Sequence, residues 1–131
     1  MLAAFWRRSR VVVGGDDALQ SSLDFSLYSL FCSVGRDAVS SVAAKGLSGE
    51  GYEGHFFWDT EIYVFPFFLL TDPALARGLL DYRHTILPAA REHARLMGHP
   101  TGALYPWRTI AGRECSAHYP SGSAACIQFH V

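Results

Sequence analysis

Cysteine is scarce in this chain, and its placement makes no framework. Three cysteines, Cys32, Cys115 and Cys126, are scattered through 131 residues. They show no C-x-x-C spacing and leave one thiol over in any disulfide scheme, so reduced thiols are the simplest account and a disulfide-stapled secreted scaffold is excluded. An excess of one charge is also missing. The formal net charge of −1 gives no electrostatic reason to expect nucleic acid or an anionic membrane as a partner. The longest apolar run, Ile62 to Leu70, is broken by Pro66 and falls far short of the ~20 residues that span a bilayer. At the N-terminus the basic residues Arg7, Arg8 and Arg10 follow a very short apolar start, the reverse of a secretory signal. Together these absences lead us to expect a soluble, cytoplasmic protein. No H-E-x-x-H pattern occurs, and His84 and His93 are not at ligand spacing, so no metal site is expected. Heptad seams, low-complexity tracts and internal repeats are lacking as well.

What is present is apolar and aromatic. Hydrophobic residues make up 50% of the chain and aromatics 14%, which argues against disorder. The length suits one domain burying about two-thirds of its unfolded surface.

Residues 1–14 read as an extended lead-in, with the β-branched Val11-Val12-Val13 stopped by Gly14-Gly15. Asp16 or Asp17 caps a helix expected to reach about Val34, with Gly35 as its stop. Leu19, Leu23, Leu27, Leu30 and Phe31 recur at helical spacing, and Phe25 and Tyr28 widen the stripe. From Arg36 to Phe57 the chain reads as a long glycine-rich loop, with a brief extended piece at Ser40 to Ala43; loops of this length in a domain are functional or disordered. Asp59 to Leu70 reads as an almost wholly apolar helix, hence buried all round and kinked at Pro66. Asp72-Pro73 restarts a helix to about Ile86, with Leu75, Leu79, Leu80 and Tyr82 inward. Leu87-Pro88 opens a further helical segment that Gly98 and His99-Pro100 end. A second loop runs from Leu104 to Gly122, holding Arg108, Arg113, Glu114, His118 and Tyr119, with a turn at Tyr119-Pro120-Ser121-Gly122. Helices joined by alternately short and long loops give an all-α fold of helical hairpins, with the long loops gathered at one end.

The stretch Ala44 to Glu61 organises the rest. Gly49, Gly51 and Gly54 let the backbone bend closely, because they take positive φ without a Cβ clash. The loop then delivers Trp58 and Asp59 side by side. An indole face beside a carboxylate suits a sugar, whose apolar face lies on the ring while its hydroxyls donate to the oxygens. The plainer reading is that Asp59 is a helix N-cap and Trp58 a packing residue. Asp59 and Glu61 do not read as a general acid/base pair: two residues apart on a helix they point to nearly opposite faces, whereas glycosidases hold two carboxyls about 5–9.5 Å apart across one bond. Glu61 therefore reads as structural. His55 reads as a loop anchor that can also reach substrate.

The string Ala44-Lys45-Gly46-Leu47-Ser48-Gly49-Glu50-Gly51-Tyr52, with Gly54-His55-Phe56-Phe57-Trp58-Asp59-Thr60-Glu61, resembles the catalytic domain of glycoside hydrolase family 65, the maltose, trehalose and kojibiose phosphorylases and their hydrolytic relatives. The resemblance continues through Pro66-Phe67-Phe68, Thr71-Asp72-Pro73 and Leu104-Tyr105-Pro106-Trp107. It implies a partial (α/α)6 barrel, with residues 15–131 its truncated N-terminal part. It also implies substrate-binding roles for Trp58, Asp59, Trp107, Glu114 and His55, an α-linked glucose disaccharide as partner, no cofactor beyond inorganic phosphate as co-substrate, and homo-oligomers among full-length relatives. Arg113 stands where the family often has the first acid of a Gly-Glu-Glu pattern. The family's proton-donating glutamate lies in a Gly-Pro-Asp-Glu-Tyr-like motif that these 131 residues do not contain. No catalytic residue is therefore assigned, and the polypeptide is expected to be inactive alone. The sequence departs from the family pattern after Ala124, as in a truncated or mis-predicted gene product. The alternative expectation is a non-catalytic sugar-binding or helical interaction module.

Overall fold

Asp16 caps the longest helix through its side chain, which accepts a hydrogen bond from the Leu19 amide at 2.9 Å. In the computed structural model, which describes residues 1–116, that helix is the second of five α-helices. The fold is all-α apart from two very short strands.

The first helix, α1, spans Leu2–Ser9 and corrects the extended lead-in expected over residues 1–14. Its cause is one side chain. Phe5 is fully buried, stacked on Phe31 at 4.3 Å with Phe67 edge-on at 6.4 Å. Burying that ring gives a short helix the tertiary support it lacks alone. The β-branched residues that suggested extended chain begin only after Arg10, which leaves the helix in an extended conformation.

The second helix, α2, runs Asp17–Ser33 and ends at an extended Val34, as the caps predict. Leu27 and Phe31 are buried, with Leu23 and Leu30 packed beside them. Phe25 and Tyr28 do not widen the buried stripe. Phe25 is 69% exposed and Tyr28 45%, since helical geometry puts them off the Leu27–Phe31 face.

Between α2 and the next helix the chain is held by isolated bridges, Val34 to Val42 and Ala43 to Phe56. They account for the extended piece foreseen near Ser40. Gly51, Tyr52, Glu53 and Gly54 then take four successive positive φ values. For Tyr52 and Glu53 this costs about 1–2 kcal/mol per residue. Arg108 braces the turn, pairing with the Glu53 carboxylate and donating to the Tyr52 carbonyl at 3.4 Å.

Thr60–Val64 is a π-helical turn leading into α3, Phe65–Thr71. The interruption expected at Pro66 thus appears one turn early. Pro has no N–H to donate and its ring crowds the carbonyl four residues back, so the wider turn ends where Pro66 enters the first turn of α3. Burial all round is corrected. Phe68 is buried, but Tyr63 is 76% and Leu70 85% exposed, with Ile62 and Leu69 also open.

Asp72 precedes Pro73 at the start of α4, Pro73–Thr85, without a side-chain capping bond. Its carboxylate pairs with Arg8 of α1, whose Nε donates to the Thr71 carbonyl at 2.8 Å. The acid that was expected to cap a helix therefore ties the N-terminus to the α3–α4 corner. Helix α4 buries Ala76, Leu79 and Tyr82. Leu80, expected inward, is half-exposed. Helix α5, Leu87–Leu96, buries Ala90 and Ala94, and Gly98 follows at positive φ. The core gathers Phe5, Leu27, Phe31, Val42, Phe68 and Leu79, from α1 to α4. No helix among the described residues is long and apolar enough to cross a membrane. The expectations on His118, on the turn at Tyr119 to Gly122, on Cys126 and on the departure after Ala124 lie outside the described residues.

Candidate functional site

Two strands of two residues bring the distant loops together. Strand β1, Phe56–Phe57, pairs antiparallel with β2, Arg108–Thr109, in the register Phe56 to Thr109 and Phe57 to Arg108. One step further along that register puts Trp58 opposite Trp107. Their rings lie 5.3 Å apart at 48°, within the range of a favourable aromatic pair. Both indoles are half-buried. The Trp58 Nε1 is buried and has no hydrogen-bond partner among the described residues.

Asp59 is exposed and sits at the N-cap of the π-helical turn, yet its side chain makes no capping bond. The plainer reading of Asp59 as a cap thus lacks its hydrogen bond. Asp59 lines a cleft of about 300 Å³ together with Phe57, Tyr63, Ser33, Val42 and Gly46. Gly46 makes that wall possible: it sits at φ +64, and a Cβ there would stand 2.8 Å from the Ser33 hydroxyl. Trp58 is not part of this cleft's lining. Asp59 thus borders the cleft, while Trp58 pairs with Trp107 next to it.

The remaining predicted residues hold the loops. The His55 ring Nδ1 lies 2.8 Å from the Tyr52 carbonyl, which also accepts from the His55 amide at 2.9 Å. The same Nδ1 lies 3.3 Å from Arg108 Nη2, so the ring is held between a carbonyl and the guanidinium that braces the turn. The Glu114 carboxylate accepts from the amides of Trp107 at 2.7 Å, Arg108 at 3.3 Å and Ser116 at 3.0 Å, and from the Ser116 hydroxyl at 2.6 Å. Such a saturated carboxylate fixes the loop behind Trp107. Arg113 is exposed. Glu61, read as structural, pairs with Arg83 at 2.5 Å. Among the described residues no group of three or more His, Cys, Asp or Glu side chains is placed to hold a metal ion.

Sequence reasoning placed Tyr82 inward, as it is, but gave it no link to the site loops, and it missed Arg83. Arg83 Nη2 donates to the Phe57 carbonyl at 3.1 Å as well as to Glu61. Tyr82 is buried, edge-on to Phe56 at 5.4 Å, and its hydroxyl donates to the Ile110 carbonyl at 3.1 Å. A signal did exist. Ala76, Leu79 and Ile86 mark the inward face of α4, and Arg83, four residues after Leu79, falls on it.

Burial pushes the Tyr82 phenol up to about 12 from 10.0, outweighing the Arg83 charge that favours ionisation. A pKa raised on folding gives stability that is complete below 10.0 and is lost as pH climbs toward about 12. We expect denaturant midpoints to fall through that window. Tyr82→Phe, which cannot ionise, should fall less, and parallel declines for the two proteins would refute the assignment.

The comparisons with known proteins agree on one family. The profile for the "Glycosyl hydrolase family 65 central catalytic domain" matches residues 24–128. The chain is 58% identical over 130 residues to an alpha,alpha-trehalose phosphorylase of Geobacillus stearothermophilus, covering 99% of this chain and 17% of that protein. With the kojibiose phosphorylase of Escherichia coli K12 it shares 48% identity over 112 residues, 84% of this chain and 15% of that protein. A solved structure of a candidate kojibiose phosphorylase from the human microbiome superposes with a TM-score of 0.79 at 33% identity, covering 86% of this chain and 15% of that one. The chain thus spans 15–17% of the length of these curated relatives. On these matches the chain belongs to glycosyl hydrolase family 65, within its central catalytic domain.

Proposed function

We propose that these residues form part of the (α/α)6 catalytic barrel of a cytoplasmic inverting α-glucoside phosphorylase or hydrolase acting on a glucose disaccharide. Trp58, Asp59 and Trp107 contribute to its glucose subsite. The observation that carries the reading is the free Asp59 carboxylate on the cleft wall, unused as a cap. A carboxylate accepting sugar hydroxyls makes charge-assisted hydrogen bonds worth about 1.5–3 kcal/mol each. Trp58 and Trp107 lie outside the lining of that cleft and contribute an apolar surface beside it. His55 and Glu114 act on the subsite through the loops they anchor. Inorganic phosphate is the co-substrate of the phosphorolytic form, and the assembled enzyme is a homo-oligomer.

A polypeptide of these 131 residues alone does not turn over. General acid catalysis is worth about 10²–10⁴-fold, and the sequence holds no glutamate in the motif that supplies it. The test is a chimera in which this chain replaces the matching segment of the Geobacillus stearothermophilus trehalose phosphorylase. We expect trehalose phosphorolysis to survive, and Asp59→Asn in the chimera to lower kcat/KM by roughly 10–100-fold. An Asp59→Asn chimera as active as its parent would overturn the subsite. Glucose 1-phosphate released by the 131-residue chain alone would overturn its inactivity. Saturable quenching of tryptophan fluorescence by a disaccharide in the chain alone, without turnover, would favour the non-catalytic sugar-binding module.

A further inference from the structure

The two site loops touch α4 at consecutive residues, each by side chain or backbone. Arg83 Nη2 donates to the Phe57 carbonyl at 3.1 Å and to Glu61 at 2.5 Å, on either side of Trp58-Asp59-Thr60. The Arg83 backbone carbonyl accepts from the Tyr105 hydroxyl at 3.4 Å, two residues before Trp107. Tyr82 packs on Phe56 of β1 and donates to the carbonyl of Ile110, the residue after β2. A helix is a stiff bar, so groups fixed to one of its turns are fixed relative to one another.

We infer that Arg83, seconded by Tyr82, is a positioning residue that sets the Trp58–Trp107 pair by bracing both strands against the last turn of α4. Two features make it more than a buried charge pair. The Arg83 side chain is only 12% exposed, and one of its donations goes to a backbone carbonyl that carries no charge to neutralise. A β1–β2 ladder of two residue pairs is too short to hold its own register, because marginal two-stranded ribbons need packing from a third element. Both donations leave from one nitrogen, Nη2, while Nη1 is buried with no partner among the described residues, so a single nitrogen ties the Phe57 carbonyl to Glu61.

The inference bears on sugar recognition only through the reading of Trp58 and Trp107 as subsite walls, so its test is made without sugar. Two indoles this close give an exciton couplet in the far-ultraviolet circular dichroism of the full 131-residue chain, with helical ellipticity as the control for folding. Trp107→Phe should abolish the couplet, and survival there would deny the pairing itself. Arg83→Met should lose most of the couplet while keeping the helical signal. The double variant Arg83→Met/Glu61→Gln should not regain it, because the Phe57 carbonyl stays unheld. Arg83→Lys should restore part of it. An intact couplet in Arg83→Met, or one restored in the double variant, would reduce Arg83 to charge compensation and overturn the inference. If Arg83→Met fails to fold, Tyr82→Phe decides: a weakened couplet supports the brace and an unchanged one overturns it. Loss of the couplet alongside an inert Asp59→Asn substitution in the chimera would sink the sugar subsite and leave the brace standing.

Discussion

Phe5→Ala is expected to lower unfolding stability by about 3–5 kcal/mol, the usual cost of truncating a buried phenylalanine. The ring is completely buried and stacked at 27° to Phe31, with Trp6 and Phe67 on its other sides. Its removal takes away the anchor of α1 together with a contact to α2 and one to α3. A helix of eight residues has little stability of its own, so α1 should detach and not simply settle. Arg8 would then lose its purchase on Asp72 and Thr71. Those pairs lie at the surface and contribute about 1 kcal/mol or less, so they cannot hold α1 in place of Phe5. Denaturant titration followed by helical ellipticity measures the effect. Leu2→Ala, at an exposed position of the same helix, is the control and should stay near zero. A loss of less than about 1 kcal/mol for Phe5→Ala would mean that the neighbours close over the missing ring and α1 stays docked without it.

The same residue shows where the sequence could be read and where it could not. Helices α2, α4 and α5 announce themselves locally: Asp16 caps, Pro73 and Pro88 open, Val34 and Gly98 close, and the apolar spacing between them is helical. Helix α1 has no such punctuation. Its identity depends on Phe31, whose distance in sequence no window sees. The β1–β2 ladder is hidden for the same reason, since its two halves lie some fifty residues apart in the chain and neither is long enough to alternate. Composition misled in one direction only. A run such as Ile62 to Leu70 suggests burial on every side, yet Tyr63 and Leu70 stand open. Apolar character states what a surface prefers, while the contacts available among residues 1–116 decide what it gets. Trp58 and Asp59 were singled out as an indole beside a carboxylate and Trp107 through a resemblance, none of them through periodicity, because a loop residue's role is set by what faces it. Glu61, read as structural from helix geometry, pairs with Arg83 at 2.5 Å. Arg83, its partner, was passed over because a cation on a helix is solvated more often than not.

Glu114→Ala should open the loop behind Trp107 by about 3–5 kcal/mol, since it strands donors that now share one ionised acceptor. The amides of Trp107, Arg108 and Ser116 converge on that carboxylate with the Ser116 hydroxyl. Helix or sheet cannot replace it: β2 spans only Arg108–Thr109, and the Cys115 amide to the Arg108 carbonyl at 2.8 Å is the other main-chain tie across the loop. The effect is local, because Glu114 lies away from the Phe5–Phe68 core. Amide hydrogen exchange at Trp107 and Arg108 should accelerate by roughly 100-fold or more, while the midpoint for global unfolding moves far less. Glu114→Gln separates geometry from charge. Its amide oxygen can still accept from Trp107, but the NH₂ that replaces the other oxygen meets the Arg108 and Ser116 amides donor to donor. Exchange should therefore quicken most at Arg108 and Ser116 in Glu114→Gln and across all three residues in Glu114→Ala. If both variants leave the three amides as protected as in the parent, the loop is held by something other than Glu114. The carboxylate would then be free to meet a sugar hydroxyl directly, as the family resemblance implies.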